Sequence, residues 1–185
     1  MQFDVHAQET APAESRDIVK AVEMRFGFLP NLIGVMANAP PLLKAYLNLS
    51  DLFEGSSLTP QEQQIVLLAA SKANRCDYCV AAHSVGAGMC SVSRDEIKAV
   101  RERQPLTDGR LQALRQLTME IVETQGWPSE DTLDDFIAAG FRSDQVLEVI
   151  LGVGMKTLSN YTNHIARTPL DDEFAAEAWT NRHTI

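Results

Sequence analysis

Apolar residues recur at three- and four-residue intervals along most of the chain, the spacing of one face of an α-helix, and no segment shows a convincing strand alternation. Ile18, Val22 and Phe26 mark a first helix. Gly27-Phe28-Leu29-Pro30 and Pro40-Pro41 then punctuate two further short helical segments. Thr59-Pro60-Gln61-Glu62 has the form of a capping box with proline at the first helical position, and the run Ile65-Val66-Leu67-Leu68-Ala69-Ala70 predicts a helix buried nearly all round. Ser93-Arg94-Asp95-Glu96 repeats the pattern ahead of Ile97 and Val100. Leu111, Leu114, Leu117, Ile121 and Val122 keep helical spacing until Gly126 and Pro128 interrupt it. Ser129 and Ser143 are candidate caps for helices carrying Leu133-Phe136-Ile137 and Val146-Leu147-Ile150-Leu151, the last reaching Ala166. Gly152 and Gly154 lie inside that helix, where each costs about 1 kcal/mol relative to alanine; close approach of a neighbouring helix is the expected reason. The pattern predicts one all-α domain over residues 15–168, flanked by an N-terminal extension (1–14) and a C-terminal tail (169–185). The acidic Asp171-Asp172-Glu173 start of the tail is expected to pack loosely or against a neighbour.

With 185 residues, 45% of them hydrophobic, the chain can build one sizeable core. Lys and Arg total 16 against 25 Asp and Glu, so the net charge of -9 repels phosphate backbones and argues against a nucleic-acid partner. The N-terminal stretch from Met1 to Thr10 has neither the basic start nor the apolar core of a signal peptide. Runs such as Ile65 to Ala70 are too short to span a bilayer. The expectation is a soluble, cytoplasmic protein with no membrane partner. Three cysteines are too few, and odd in number, for a disulfide scaffold; in a reducing compartment a close pair points to catalysis or metal binding.

That pair is Cys76-Asp77-Tyr78-Cys79, followed by Val80-Ala81-Ala82-His83. On a helix Cys76, Cys79 and His83 share one stripe, with His83 roughly 6 Å along the axis from Cys79 and roughly 10 Å from Cys76. His83 is thereby expected to reach Cys79 directly. A thiolate is the reactive form of cysteine, and a helix N-terminus, a neighbouring cation or a C-x-x-C pair each lowers its pKa. Cys76 stands close enough to capture a sulfenic acid formed on Cys79, giving a disulfide. Two thiolates and an imidazole are also zinc ligands, with Cys90 or His164 as a fourth, although no second C-x-x-C or H-x-x-x-H cluster completes the set. A c-type haem site is excluded because Val80, not histidine, follows the second cysteine. Buried free cysteines acting as small hydrophobes are the plain structural alternative, and the favoured one for Cys90. The polar cluster Asn160, Tyr161, Asn163 and His164 reads as hydrogen-bonded structure lining a pocket or an interface.

The motif Cys76-Asp77-Tyr78-Cys79-Val80-Ala81-Ala82-His83, preceded by Leu58-Thr59-Pro60 and a helix to Asn74, resembles the AhpD-like alkylhydroperoxidase and carboxymuconolactone decarboxylase superfamily. Gly27-Phe28-Leu29-Pro30-Asn31-Leu32, Asn38-Ala39-Pro40 and Asn160-Tyr161-Thr162-Asn163-His164 resemble its peroxidase-related branch. The resemblance implies a single-domain, all-helical AhpD-like fold assembled as dimers, trimers or hexamers. It implies a thiol peroxidase acting on organic hydroperoxides or hydrogen peroxide, in which Cys79 attacks, His83 assists proton transfer and Cys76 closes the disulfide. It implies no bound cofactor, no metal, and an external thiol reductant such as a dihydrolipoyl protein. Relatives place a glutamate relay twelve residues before the first cysteine; here that position is Gln64, which cannot act as a carboxylate. Glu62, two residues earlier, is the substitute candidate, although the capping box already explains it. The other functions this sequence admits are a dithiol redox sensor or docking module and, on superfamily grounds alone, a lactone decarboxylase.

Overall fold

The computed structural model describes residues 2–180, which form nine α-helices and one short 3₁₀ helix. In chain order the helices are α1 (Ala13–Phe26), α2 (Asn31–Met36), α3 (Pro40–Glu54), α4 (Pro60–Ala73), α5 (Asp77–Met89), α6 (Arg94–Glu102), α7 (Gly109–Glu123), α8 (Glu130–Ala138) and α9 (Ser143–Ala166). The 3₁₀ helix spans Asp172–Glu177. No described helix is long and apolar enough to cross a membrane.

The expected caps set most of the helix starts. Thr59 accepts from the Glu62 amide while the Glu62 carboxylate accepts from the Thr59 amide, and Ser93 and Glu96 repeat the exchange. Ser129 caps α8 through the Thr132 amide. Ser143, by contrast, is already helical. Arg142 is the cap residue of α9, because the Gln145 side chain reaches back to accept from the Arg142 amide at 2.9 Å.

The apolar run of α4 is buried from Ile65 to Ala70 and forms the centre of the molecule, packed by α5, α6, α7 and α9. α9 crosses α3 and α4 so closely that a Cβ on Gly152 would stand 2.8 Å from the Phe53 ring and 2.9 Å from Val66. Gly152 therefore answers to helix packing as expected. Gly154 does not, since a Cβ there would meet nothing within 4 Å. A second apolar cluster gathers Val19, Val22, Leu32, Ile33, Met36 and Leu43 of α1 to α3 around Cys76, Tyr78 and Cys79.

Both flanking segments pack onto the helices of their own chain. The His6 amide donates to the Gly34 carbonyl at 3.2 Å, and Gly34 makes this approach possible because a Cβ there would lie 2.7 Å from the His6 carbonyl oxygen. The tail is not loose over residues 169–180, and its last residues, 181–185, lie outside the described ones. Asp171 is buried, accepting from the Asn31 amide at 2.8 Å and from the Tyr78 hydroxyl. Phe174 meets the rings of Phe28 and Tyr78 edge-on at 5.6 and 5.9 Å. Arg101 pairs with Glu177 at 2.5 Å, and the Lys72 ammonium sits 4.0 Å from the Trp179 ring centroid. Residues 170–179 thus strap the outer side of α5, where its own aromatic and carboxylate groups find partners that composition alone does not reveal.

Candidate active site

The dithiol is placed by a turn and a helix start. After α4 the chain reverses at Arg75, a left-handed residue with φ of 60°, and the Cys76 amide bonds back to the Ser71 carbonyl at 3.0 Å. Cys76 then occupies the cap position of α5 in extended conformation, so Cys79 is the third residue of the first turn. Amides without intrahelical partners and the positive end of the helix dipole lie there, and both favour a thiolate. The two thiols are free and each is only 1% exposed.

α9 supplies the facing wall. Lys156, Ser159, Asn160 and Asn163 fall at i, i+3, i+4 and i+7, one face of that helix, and all four are buried. Asn163 Nδ2 donates to Cys79 Sγ at 3.2 Å and lies 3.8 Å from Cys76 Sγ, so one amide spans the pair. Ser159 Oγ stands 4.0 Å from Cys79 Sγ and donates to the Lys156 carbonyl at 3.2 Å, with buried Tyr46 of α3 nearby. Asn160 is held by Asn74, whose Nδ2 donates to its Oδ1 at 2.9 Å. The buried Lys156 bears on Cys79 through its charge.

These neighbours make the two thiols unlike. Burial pushes the Cys79 thiol up, but the neighbouring Cys76 thiol and the charge of Lys156 outweigh it and bring it down to about 5. Cys76 moves the other way: its hydrogen bond to Cys79, its burial and the Cys79 charge keep it protonated. The arrangement is a buried thiolate with a protonated thiol beside it, the pairing that a nucleophile and a resolving thiol require.

The expected residues fall into two groups. Cys76 and Cys79 meet as predicted. His83 is on the same helix, but its recorded hydrogen bond is from Nδ1 to Gln64 Oε1 at 3.2 Å rather than to a sulfur. Burial, then the Lys156 charge, holds the His83 pKa well below its ordinary value, so the ring is a neutral imidazole near pH 7. Gln64 faces it across Gly86, where a Cβ would come within 2.8 Å of Gln64 Oε1. Glu62 is spent elsewhere: its carboxylate serves the α4 cap and accepts from Arg110 Nε at 2.7 Å. His164 is exposed and stacked near Tyr161, and Cys90 closes the far end of α5. Among the described residues no three or more His, Cys, Asp or Glu side chains are grouped as a metal site.

Lys156, Ser159 and Tyr46 escaped the sequence reading, and Asn160 and Asn163 were placed no closer than a hydrogen-bonded surround. A signal for four of them exists, because a lysine, a serine and two asparagines at helical spacing follow Val149, Gly152 and Met155 on the buried side of the helix, where Gln145 at its start already serves the cap. What they face depends on how α9 crosses α5, which no local pattern encodes.

Residues 40–120 match the family described as Carboxymuconolactone decarboxylase family. Among solved structures the chain is similar to a protein from Ralstonia eutropha JMP134 described as an alkylhydroperoxidase AhpD core and uncharacterized peroxidase-related protein, at 20% identity and TM-score 0.82, covering 94% of this chain and 93% of that one. An uncharacterized peroxidase-related protein from Silicibacter sp. TM1040 matches at 19% identity and TM-score 0.79, over 93% and 92% of the two chains. The debrominase Bmp8, solved as a cysteine-to-alanine variant with 2,3,4-tribromopyrrole, matches at 17% identity and TM-score 0.76, over 89% of each chain. At these identities the likeness is one of fold. No curated protein sequence matches the chain significantly.

Proposed function

We propose that the chain, whose residues 40–120 match the Carboxymuconolactone decarboxylase family and whose fold is that of the AhpD-core structures, is a dithiol peroxidase reducing organic hydroperoxides or hydrogen peroxide. The observation that carries the reading is the buried thiol pair at the start of α5, with Asn163 Nδ2 3.2 Å from Cys79 Sγ and 3.8 Å from Cys76 Sγ and the Lys156 charge favouring a thiolate at Cys79. A thiolate attacks the outer oxygen of an O–O bond, leaving a sulfenic acid on Cys79 and an alcohol. The Cys76 thiol then displaces water from that sulfenic acid and closes the disulfide. Two buried amide atoms on α9, the donor Asn160 Nδ2 and the acceptor Asn163 Oδ1, have no protein partner. An –O–O–H group offers the complementary acceptor and donor. A lactone decarboxylase reading draws nothing from a pair of thiols, which is why the peroxidase is preferred.

The test is rapid mixing of fully reduced protein with stoichiometric cumene hydroperoxide, with thiols trapped over time and the disulfide mapped by peptide mass spectrometry. A Cys76 to Cys79 bond should form, and Cys79→Ser should abolish both the bond and peroxide loss. Full consumption by Cys79→Ser would remove Cys79 as nucleophile. Regeneration requires an external dithiol, for which a dihydrolipoyl protein is the class proposed.

A further inference from the structure

Lys156 is the buried cation on the α9 wall that faces the thiols. It is 1% exposed on α9, the same buried face that carries Ser159 and Asn163 at 4.0 and 3.2 Å from Cys79 Sγ, and burial by itself lowers its hold on the proton. The titratable groups that bear on it are Tyr46 from α3 and Cys79 and Cys76 from α5, while His83 of α5 responds to its charge. Gln64, facing His83 from α4, is uncharged. Burial holds the Tyr46 hydroxyl protonated, so it supplies no anion near neutral pH, and Cys76 likewise stays a thiol. The Cys79 thiolate is therefore the counter-charge that keeps the ammonium protonated in the apolar interior. When Cys79 is oxidised that counter-charge vanishes, and desolvation favours the neutral amine.

We propose that Lys156 is the proton store of the dithiol cycle, giving its proton to the oxygen expelled from the O–O bond and regaining it when the disulfide is reduced. The inference rests on the peroxidase reading and deepens it. In the first step the Cys79 S⁻ forms a bond to the outer oxygen, the O–O bond breaks, and the leaving alkoxide takes a proton from the Lys156 ammonium. The products are Cys79–SOH, an alcohol and a neutral amine. In the second step the Cys76 sulfur bonds to the Cys79 sulfur, and the expelled OH leaves as water with the Cys76 proton. An external dithiol then reduces the disulfide, becoming a disulfide itself, and of the two protons it returns, one stays on Cys76 and one passes from Cys79 to Lys156. The electrons come from the dithiol, the protons balance within the pair and the lysine, and no carboxylate is needed at position 64. Lys156 is buried on the same α9 face as Ser159 and Asn163, whose polar atoms stand 4.0 and 3.2 Å from Cys79 Sγ, so the ammonium belongs to the cluster around the thiolate, the placement a general acid requires.

The experiment has two arms. Lysine side chains labelled with ¹³C at the carbon bearing the amine are titrated by NMR in wild-type protein, once reduced and once with the Cys76–Cys79 disulfide. One lysine resonance, assigned with Lys156→Arg, should lose its proton at markedly lower pH in the oxidised form. Identical titration in both forms would overturn the proposal without any variant having to fold at full strength. In the second arm, ultraviolet thiolate absorbance should show the Cys79 midpoint rising by roughly two pH units in Lys156→Met. Lys156→Arg should keep the low midpoint yet slow disulfide formation with peroxide by roughly 100-fold, because guanidinium holds its proton too firmly to donate it. Equal peroxide rates for Lys156→Arg and wild type would also overturn the proposal. A wild type that shows the redox-linked lysine titration but consumes no peroxide would support the proton exchange and sink the peroxidase reading instead.

Discussion

Asn163 shows how much one side chain contributes to the asymmetry of the pair. Its amide nitrogen reaches both sulfurs but lies 0.6 Å nearer Cys79, as 3.8 Å less 3.2 Å gives. A donor favours the charged form of whatever it touches more closely, so it biases the single negative charge toward Cys79. The bias has a thermodynamic signature. Cys79 has a folded-state pKa of about 5, depressed from the ordinary value of about 8.5. A depressed acid contributes stability that is fully present above the unfolded value and is lost as pH falls through the folded one. Cys76, raised in the fold, contributes in the opposite sense only above the ordinary thiol range. Between about pH 5 and pH 8.5 the Cys79 contribution dominates. Reduced wild type should therefore gain Tm relative to Cys79→Ser as pH rises across this window. The gain should be several degrees, since one kcal/mol corresponds to about 2–4 °C in a domain of this size. Calorimetry of the two proteins under a reductant checks this, and parallel curves would mean that Cys79 is not a thiolate in the fold.

At the scale of elements, the division between what the sequence disclosed and what it concealed follows the range of the interactions. The caps at Thr59, Ser93 and Ser129 involve residues three apart, so their sequence signatures suffice. Cys76 and Cys79 were legible for the same reason. The α9 wall was not, because Lys156 and Asn163 reach the thiols across some eighty positions of chain. The strap was not, because a run of acidic residues looks like solvated surface until Asp171 is seen between the α2 amide of Asn31 and the Tyr78 hydroxyl. Asp171 is the pin of that strap, and Tyr78 is the residue immediately before the nucleophile. Replacing Asp171 with alanine leaves a buried tyrosine hydroxyl and a helix-start amide short of an acceptor, which should cost about 1–3 kcal/mol in denaturant titration. It should also speed maleimide labelling of the Cys76 and Cys79 thiols, since the strap packs on the helix that carries them. A variant as stable and as slowly labelled as wild type would show that the tail merely rests on α5.

Whole-molecule organisation turns on what remains uncovered. α9 presents its inner face to the thiols, but its outer face carries Leu147, Ile150, Tyr161 and Ile165 at 68%, 48%, 54% and 66% exposure. With Gly154 and partly buried Leu158, these positions step by three or four residues along one stripe, and Leu147, Gly154 and Tyr161 are seven apart. Gly154 sits near the middle with nothing within 4 Å of where a Cβ would stand, so a second helix could approach its backbone closely. The homo-oligomer expected from the sequence is predicted to cover this stripe by pairing α9 with its copy about a two-fold axis. The glycine that the sequence reading ascribed to packing within the chain would then serve packing between chains. Light scattering should give a mass at or above that of a dimer, and Leu147→Glu combined with Ile165→Glu should reduce it to that of one chain. The thiols lie on the opposite face of α9 from the stripe, so the reduced double variant should keep the wild-type thiolate midpoint. A monomeric wild type would overturn the inference. A midpoint that moves with dissociation would instead mean that assembly fixes the inner wall of α9, coupling the site to the partner copy.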